Sequence, residues 1–165
     1  MVSLSVSESM KIFIANDHRG YELAVALAEE LKKQGHLIEH LGCTSTDSCD
    51  YPDFAKLLGE KVAMETNGLG CDESGVLGIG ICGSGVGIAI ALNKIAGVRA
   101  VPLWHPHIAE FAKRHNNANV VTFSADLQDL QEASKLIRIF LDSTFEGGRH
   151  SRRIEKIARL ERERK

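Results

Sequence analysis

The chain predicts an α/β fold in three layers, a five-stranded parallel sheet flanked by helices with one further helix at the C-terminus. Short apolar runs alternate with segments whose apolar residues recur every three or four positions. Gly, Pro, Asn and Asp punctuate the borders between them. The alternation continues from Lys11 to Asp142, which demands crossover connections and therefore parallel strands covered on both faces.

Lys11 to Asn16 reads as a strand, and Tyr21 to Gln34 as a helix carrying Leu23, Leu27 and Leu31 until Gly35 stops it. Leu37 to Leu41 is a second strand and Thr44 to Pro52 a polar loop; a helix follows from Pro52 to Thr66, with proline in its first turn. Ser74 to Ile81 is a strand and Val86 to Leu92 an apolar helix. The strand Val98 to Val101, helix Pro106 to Arg114, strand Val120 to Phe123 and helix Leu127 to Asp142 complete the alternation. A glycine turn then leads into a last helix from Arg153 to about Arg162, whose Ile154, Ile157, Ala158 and Leu160 form an apolar face able to dock. Glu161 to Lys165 read as a solvated end of interspersed charges.

The 165 residues, 44% of them hydrophobic, suit one domain over 10–165 after a disordered N-terminal extension at 1–9. A formal net charge of −2 with dispersed Lys and Arg excludes the broad basic field of a nucleic-acid binder. No apolar stretch nears the roughly 20 residues of a membrane span, and Met1 to Ser9 lacks the features of a secretory signal. Cys43, Cys49, Cys71 and Cys82 show no CxxC and no zinc-type spacing. Reduced thiols in a cytoplasmic protein are the simplest account.

In such a sheet ligands bind at the carboxyl ends of the strands. There the richest stretch is Gly78-Ile79-Gly80-Ile81-Cys82-Gly83-Ser84-Gly85-Val86-Gly87, a strand that ends in a cysteine and opens into alternating glycines. Amides freed by Gly83, Gly85 and Gly87, with the helix start beyond them, favour anions and a thiolate at Cys82, making it a candidate base or nucleophile. A buried, inert cysteine is the competing reading. The glycines also fit a dinucleotide fingerprint, but the position about 20 residues on, where that motif needs a carboxylate, falls near Leu103 and Trp104. Ser84 lacks a nucleophile-elbow pattern and suits hydrogen bonding.

Asp17-His18 follows the first strand, where Asp17 serves equally as a helix cap or an active-site carboxylate. His115 ends a helix, a common place for a capping imidazole. His105 and His107 flank Pro106 without a third ligand nearby, so no metal site is expected. Arg149 and Arg153, four apart, share a face if the helix already begins in the glycine turn, and could then grip one phosphate.

Jointly, Asp17-His18, Asp50-Tyr51-Pro52, Ile81 to Gly87, Asn93-Lys94, His115-Asn116 and Glu146-Gly147-Gly148-Arg149-His150 closely resemble the type B ribose-5-phosphate isomerase family, in matching order from Lys11 to about Leu160. The resemblance implies a Rossmann-like domain, a homodimer with active sites at the subunit interface, and interconversion of ribose 5-phosphate and ribulose 5-phosphate in the non-oxidative pentose phosphate pathway. It needs no cofactor and no metal. Cys82 would move the proton between C1 and C2 through an enediolate, and the amides of Gly83, Ser84, Gly85, Val86 and Gly87 would hold the oxyanion. Ser84 keeps a hydroxyl where the family often has threonine. His115 would protonate the ring oxygen; Asp17, Tyr51 and Asn116 would orient hydroxyls; His18, Arg149 and Arg153 would bind phosphate.

Family members with a glutamate base lack the cysteine, so Cys82 favours the pentose branch over allose or galactose phosphates, with allose 6-phosphate the alternative. Two departures stand out. Many members carry Phe-Gly-Ser-Arg after the last strand, where this chain reads Phe123-Ser124-Ala125-Asp126; the phosphate is then held more weakly or by a neighbour such as Arg19. Asn16 precedes the Asp-His pair where cysteine or serine is common, a neutral change. The rival readings are a nucleotide-binding or regulatory module of flavodoxin-like shape, since fold alone does not fix function, and a redox sensor built on Cys82.

Overall fold

In this computed structural model, which describes residues 9–163, the apolar runs form β1 (Lys11–Asn16), β2 (Leu37–His40), β3 (Val76–Cys82), β4 (Ala100–Pro102) and β5 (Val120–Ser124). All pair in parallel, in the order β2-β1-β3-β5-β4. The central strands alternate between two cores because successive side chains leave opposite faces. Ile12, Ile14, Leu77, Ile79, Ile81, Val121 and Phe123 pack under α1 (Tyr21–Lys33), α5 (Pro106–Arg114) and α6 (Leu130–Asp142). Phe13, Ala15, Val76, Cys82 and Val120 pack under α2 (Tyr51–Thr66) and α4 (Val86–Leu92).

Gly78 and Gly80 fall on this second face, and their role is close packing. A Cβ at Gly78 would stand 2.8 Å from Val62 Cγ2, and one at Gly80 3.1 Å from Leu92 Cδ1. The first two glycines of the fingerprint-like run thus let α2 and α4 lie close to the sheet. They are not placed at a strand end, where a pyrophosphate turn would need them.

The strands and helices expected from the sequence are present, and the differences sit at caps. The third strand starts at Val76 because residues before it close a short helix, α3 (Cys71–Ser74), ended by Gly75 at φ 68°. The fourth strand runs Ala100–Pro102, two residues later than expected at its start. Gln128 delays α6 by bonding both Ser124 N–H, through Oε1, and Leu103 O, through Nε2; Asp129 then caps it by accepting from Glu132 N–H. The last helix, α7 (Arg149–Arg162), begins four residues early, directly after Gly148 at φ 57°. Of the N-terminal extension, residues 1–8 lie outside the described residues, while Ser9 Oγ donates to Gly35 O at 2.8 Å and so belongs to the fold. Glu161 accepts from Gly97 N–H at 3.0 Å, which ties the end of α7 to the turn before β4. Among the described residues no helix is long and apolar enough to cross a membrane.

Two histidines near β1 and β2 couple this packing to pH. Buried His36 accepts the Met10 N–H on Nδ1 at 3.2 Å, and burial holds its pKa below 6.5. His40 is lowered likewise, by burial and then by Lys32. Below about pH 6.5 the unfolded chain therefore takes up protons before the folded one, so stability falls as pH falls through this window. The melting temperature should drop between pH 7 and pH 5.5, with a shallower drop in His36→Gln; equal slopes in both proteins would show that His36 does not contribute.

Candidate active site in two halves

The first half-site forms where β1, β3 and β5 end. Cys82 is the last residue of β3, paired with Ser124 and 3% exposed. Gly85, at φ 74°, turns its N–H back onto Cys82 Sγ at 3.2 Å, a contact that favours negative charge on sulfur. Glycine is required there twice over: the left-handed φ disfavours a side chain, and a Cβ would meet the Phe123 carbonyl carbon at 2.8 Å. Thr122 Oγ donates to Gly85 O at 2.8 Å and Ser124 Oγ to Gly83 O at 2.7 Å, so the neighbouring strand braces the turn. The exposed Ser84 accepts from Val86 N–H at 3.2 Å. Two of the amides expected to serve an oxyanion, those of Gly85 and Val86, are thus occupied within the turn.

Tyr51, first residue of α2, brings its ring against this turn: a Cβ at Gly87 would lie 2.9 Å from the phenol oxygen. Asp17 is 4% exposed, and its Oδ1 accepts from the N–H groups of Arg19 and Gly20, both at 3.0 Å. Asp17 thus closes the turn before α1 instead of capping the helix itself, whose N-cap is Gly20 with no side-chain hydrogen bond; one of its oxygens is committed to the backbone. His18 places Nδ1 3.2 Å from both the N and O of Cys49, tying the loop before α2 to the first half-site. Cys43 Sγ donates to Ser45 O, and burial, then neighbouring Cys49, pushes its thiol up to about 11. At neutral pH it is a protonated thiol, a poor attacking partner for a redox pair.

The second half-site lies at the amino ends of the strands. His115 caps the C-terminus of α5 and stacks between Phe111, centroids 4.6 Å apart, and His150, 4.4 Å apart, with the rings within about 10° of parallel. Glu146 Oε2 lies 3.8 Å from His115 Nε2 and 3.5 Å from His150 Nε2. The Arg114 guanidinium, hydrogen-bonded to Glu146, holds that carboxyl below its ordinary pKa, so it is ionised at neutral pH. Burial, then the nearby His115, lowers the pKa of His150. The exposed Asn116 donates to Phe111 O at 3.1 Å, closing its own helix, and Arg99 pins the turn by donating to the carbonyls of Asn116 and Asn117. Because α7 starts at Arg149, Arg149 and Arg153 do share a face. Among the described residues neither makes an ion pair.

Donor atoms of His115, Glu146 and His150 lie within 4.8 Å of one another. They do not form a metal cradle, because imidazole lone pairs lie in the ring plane and two stacked rings aim them side by side. His105 caps α5 by accepting from His107 N–H at 3.2 Å. Asn93 bridges α4 to β4 through Ala89 and Ala100. Sequence reasoning left Glu146 and His150 without a role, and it missed Arg99, a half-buried cation with no local signal.

The matches to known proteins cover nearly all of this architecture. Residues 12–157 match the family model described as Ribose/Galactose Isomerase. The chain belongs to this isomerase family. Its relatives include the probable ribose-5-phosphate isomerase B of Mycoplasma genitalium, 42% identical over 94% of this chain and 98% of the relative. The ribose-5-phosphate isomerase B of Escherichia coli is 36% identical over 93% and 98%. The solved Clostridium thermocellum ribose-5-phosphate isomerase B superposes with a TM-score of 0.86 at 36% identity, covering 94% of this chain and 100% of that one. The Mycoplasma genitalium structure, with bound ribulose-5-phosphate, gives 0.85 at 42% identity over 94% and 98%. The resemblance carried by the six motifs is thus a family membership, and this chain is a type B isomerase of sugar phosphates.

The two half-sites lie at opposite ends of the strands within one chain. Val120 to Ser124 alone measures roughly 13 Å at about 3.3 Å per residue, and His115 lies beyond the Val120 end while Cys82 sits level with Ser124. An extended five-carbon sugar phosphate is shorter than that.

Proposed function

We propose that the chain interconverts ribose 5-phosphate and ribulose 5-phosphate as a homodimer, each active site joining the Cys82 half of one copy to the His115 half of its partner. The opposed placement of the halves supports the pairing, since one substrate cannot touch both in a single chain. An isologous two-fold dimer would create two such composite sites at once. The bound ribulose-5-phosphate in the Mycoplasma genitalium relative supports the pentose.

His115 protonates the ring oxygen as its bond to C1 breaks, and the anomeric hydroxyl releases its proton to solvent to leave the C1 carbonyl, with the Glu146 carboxylate beside the imidazole. Cys82, as thiolate, then takes the proton from C2. The C2–H electron pair becomes the C1–C2 double bond, and the carbonyl oxygen O1 takes the charge, stabilised by the amides of Gly83, Ser84 and Gly87, since those of Gly85 and Val86 are engaged within the turn. The sulfur returns its proton to C1 while the O2 proton passes to O1, giving the ketose. Tyr51, Asp17, Ser84 and Asn116 orient hydroxyls, and His18, Arg149 and Arg153 hold the phosphate. No step requires a metal or an organic cofactor.

The observation that carries this reading is the Gly85 N–H on Cys82 Sγ at the end of β3, which sets a thiol and its stabilising donor where ligands bind in such sheets. Conversion of ribose 5-phosphate to ribulose 5-phosphate by the purified chain, with no added metal, tests it. Turnover is expected; activity that a chelator abolishes and zinc restores would contradict it.

A further inference from the structure

The Arg19 guanidinium lies against the thiol turn itself. Arg19 comes from the turn after β1 and Asp126 from the turn after β5, and these strands flank β3 on either side. Nε donates to Oδ1 at 3.2 Å and Nη2 to Oδ2 at 2.7 Å, a two-pronged pair that crosses the carboxyl end of the thiol strand. A Cβ at Gly83 would stand 3.0 Å from Arg19 Nε and 3.1 Å from Asp126 Oδ2, so the pair rests on the residue after Cys82.

Both ends are anchored. The Arg19 N–H donates to Asp17 Oδ1. On the other side Asp126 N–H donates to Gly83 O at 3.1 Å and Ala125 N–H to Cys82 O at 3.0 Å. With side chains 57% and 42% exposed, the pair is too wet to matter much for folding, where such pairs contribute about 0 to 1 kcal/mol. It does fix where the guanidinium points. Asp126 engages Nε and Nη2, leaving Nη1 and one N–H of Nη2 as a second planar edge, the geometry that suits a phosphate.

We propose that Arg19, held by Asp126, binds the phosphate of the sugar phosphate beside His18, supplying the cation that residue 126 does not. This rests on the isomerase reading and adds to it which residue of this chain holds the anion at the thiol half-site. Arg19 touches no reacting carbon, so its contribution is uniform binding, visible in KM and not in kcat.

The experiment compares wild type, Arg19→Ala and the double variant Arg19→Ala/Asp126→Arg. It reads kcat and KM for ribose 5-phosphate and, by calorimetry, the Kd for inorganic phosphate. A lost charged hydrogen-bond pair should raise KM and the phosphate Kd in Arg19→Ala by roughly 10- to 100-fold, with kcat nearly unchanged. The double variant, which returns a cation to the same crevice, should recover most of that loss. Unchanged KM and phosphate Kd in Arg19→Ala, a fall in kcat alone, or a double variant no better than the single would each overturn the proposal. A wild type that does not turn over ribose 5-phosphate would instead contradict the isomerase reading, and the phosphate Kd values would still decide the role of Arg19.

Discussion

Cys82→Ala should abolish turnover of ribose 5-phosphate while leaving the fold intact. The sulfur sits at the end of β3, 3% exposed, and it is the atom onto which Gly85 turns its N–H. Removing it deletes the proposed base, and a positioned general base contributes about 10²- to 10⁴-fold in rate. Alanine keeps the Cβ that packs between α2 and α4, so the melting temperature should move only a few degrees. Cys82→Ser keeps shape and a hydrogen-bond acceptor for Gly85 but gives a far weaker acid than a thiol. It should be nearly as inactive as the alanine variant, with KM close to wild type. Steady-state kinetics checks this; a serine variant with near-normal kcat would move the base to another residue.

The second large effect belongs to the opposite edge of the sheet. His115→Ala should lower kcat on the cyclic substrate, because ring opening loses its proposed acid. Arg149→Ala should instead raise KM by about tenfold or more, as expected for loss of a charge-assisted phosphate contact. The stack of Phe111, His115 and His150 predicts that His115→Ala keeps its fold, since the ring is sandwiched at the surface of α5 and not within either core. A His115 variant with unaltered kcat would remove the imidazole from the reaction.

Most of the sheet is legible in the sequence because β1, β3 and β5 are apolar on both faces, and such runs between glycines leave little room for another structure. Helix ends were less legible. The start of α6 depends on Gln128 bonding across to β5 and to Leu103 just after β4, and that of α7 on the positive φ of Gly148, neither of which shows in periodicity. The thiol turn could be read directly, since its glycines and cysteine are contiguous. The Arg19–Asp126 pair could not: 107 residues separate its members, and only the order β1-β3-β5 brings the two turns together over Gly83. The sequence argues against a nucleotide motif in the paired glycines of β3, since no carboxylate falls near Leu103 and Trp104, but their packing role shows only with α2 and α4 in place above them.

The account stands on the claim that one substrate is held by two copies of the chain. Co-expression of Cys82→Ala and Arg149→Ala chains, each nearly inactive alone at low substrate, tests it most directly. In a mixed dimer one site unites an intact Cys82 with an intact Arg149 and the other has lost both. With random pairing half the dimers are mixed, so the preparation should regain about a quarter of the wild-type activity per site. Activity no higher than that of the separate variants would place both residues in the same chain's site and contradict the account.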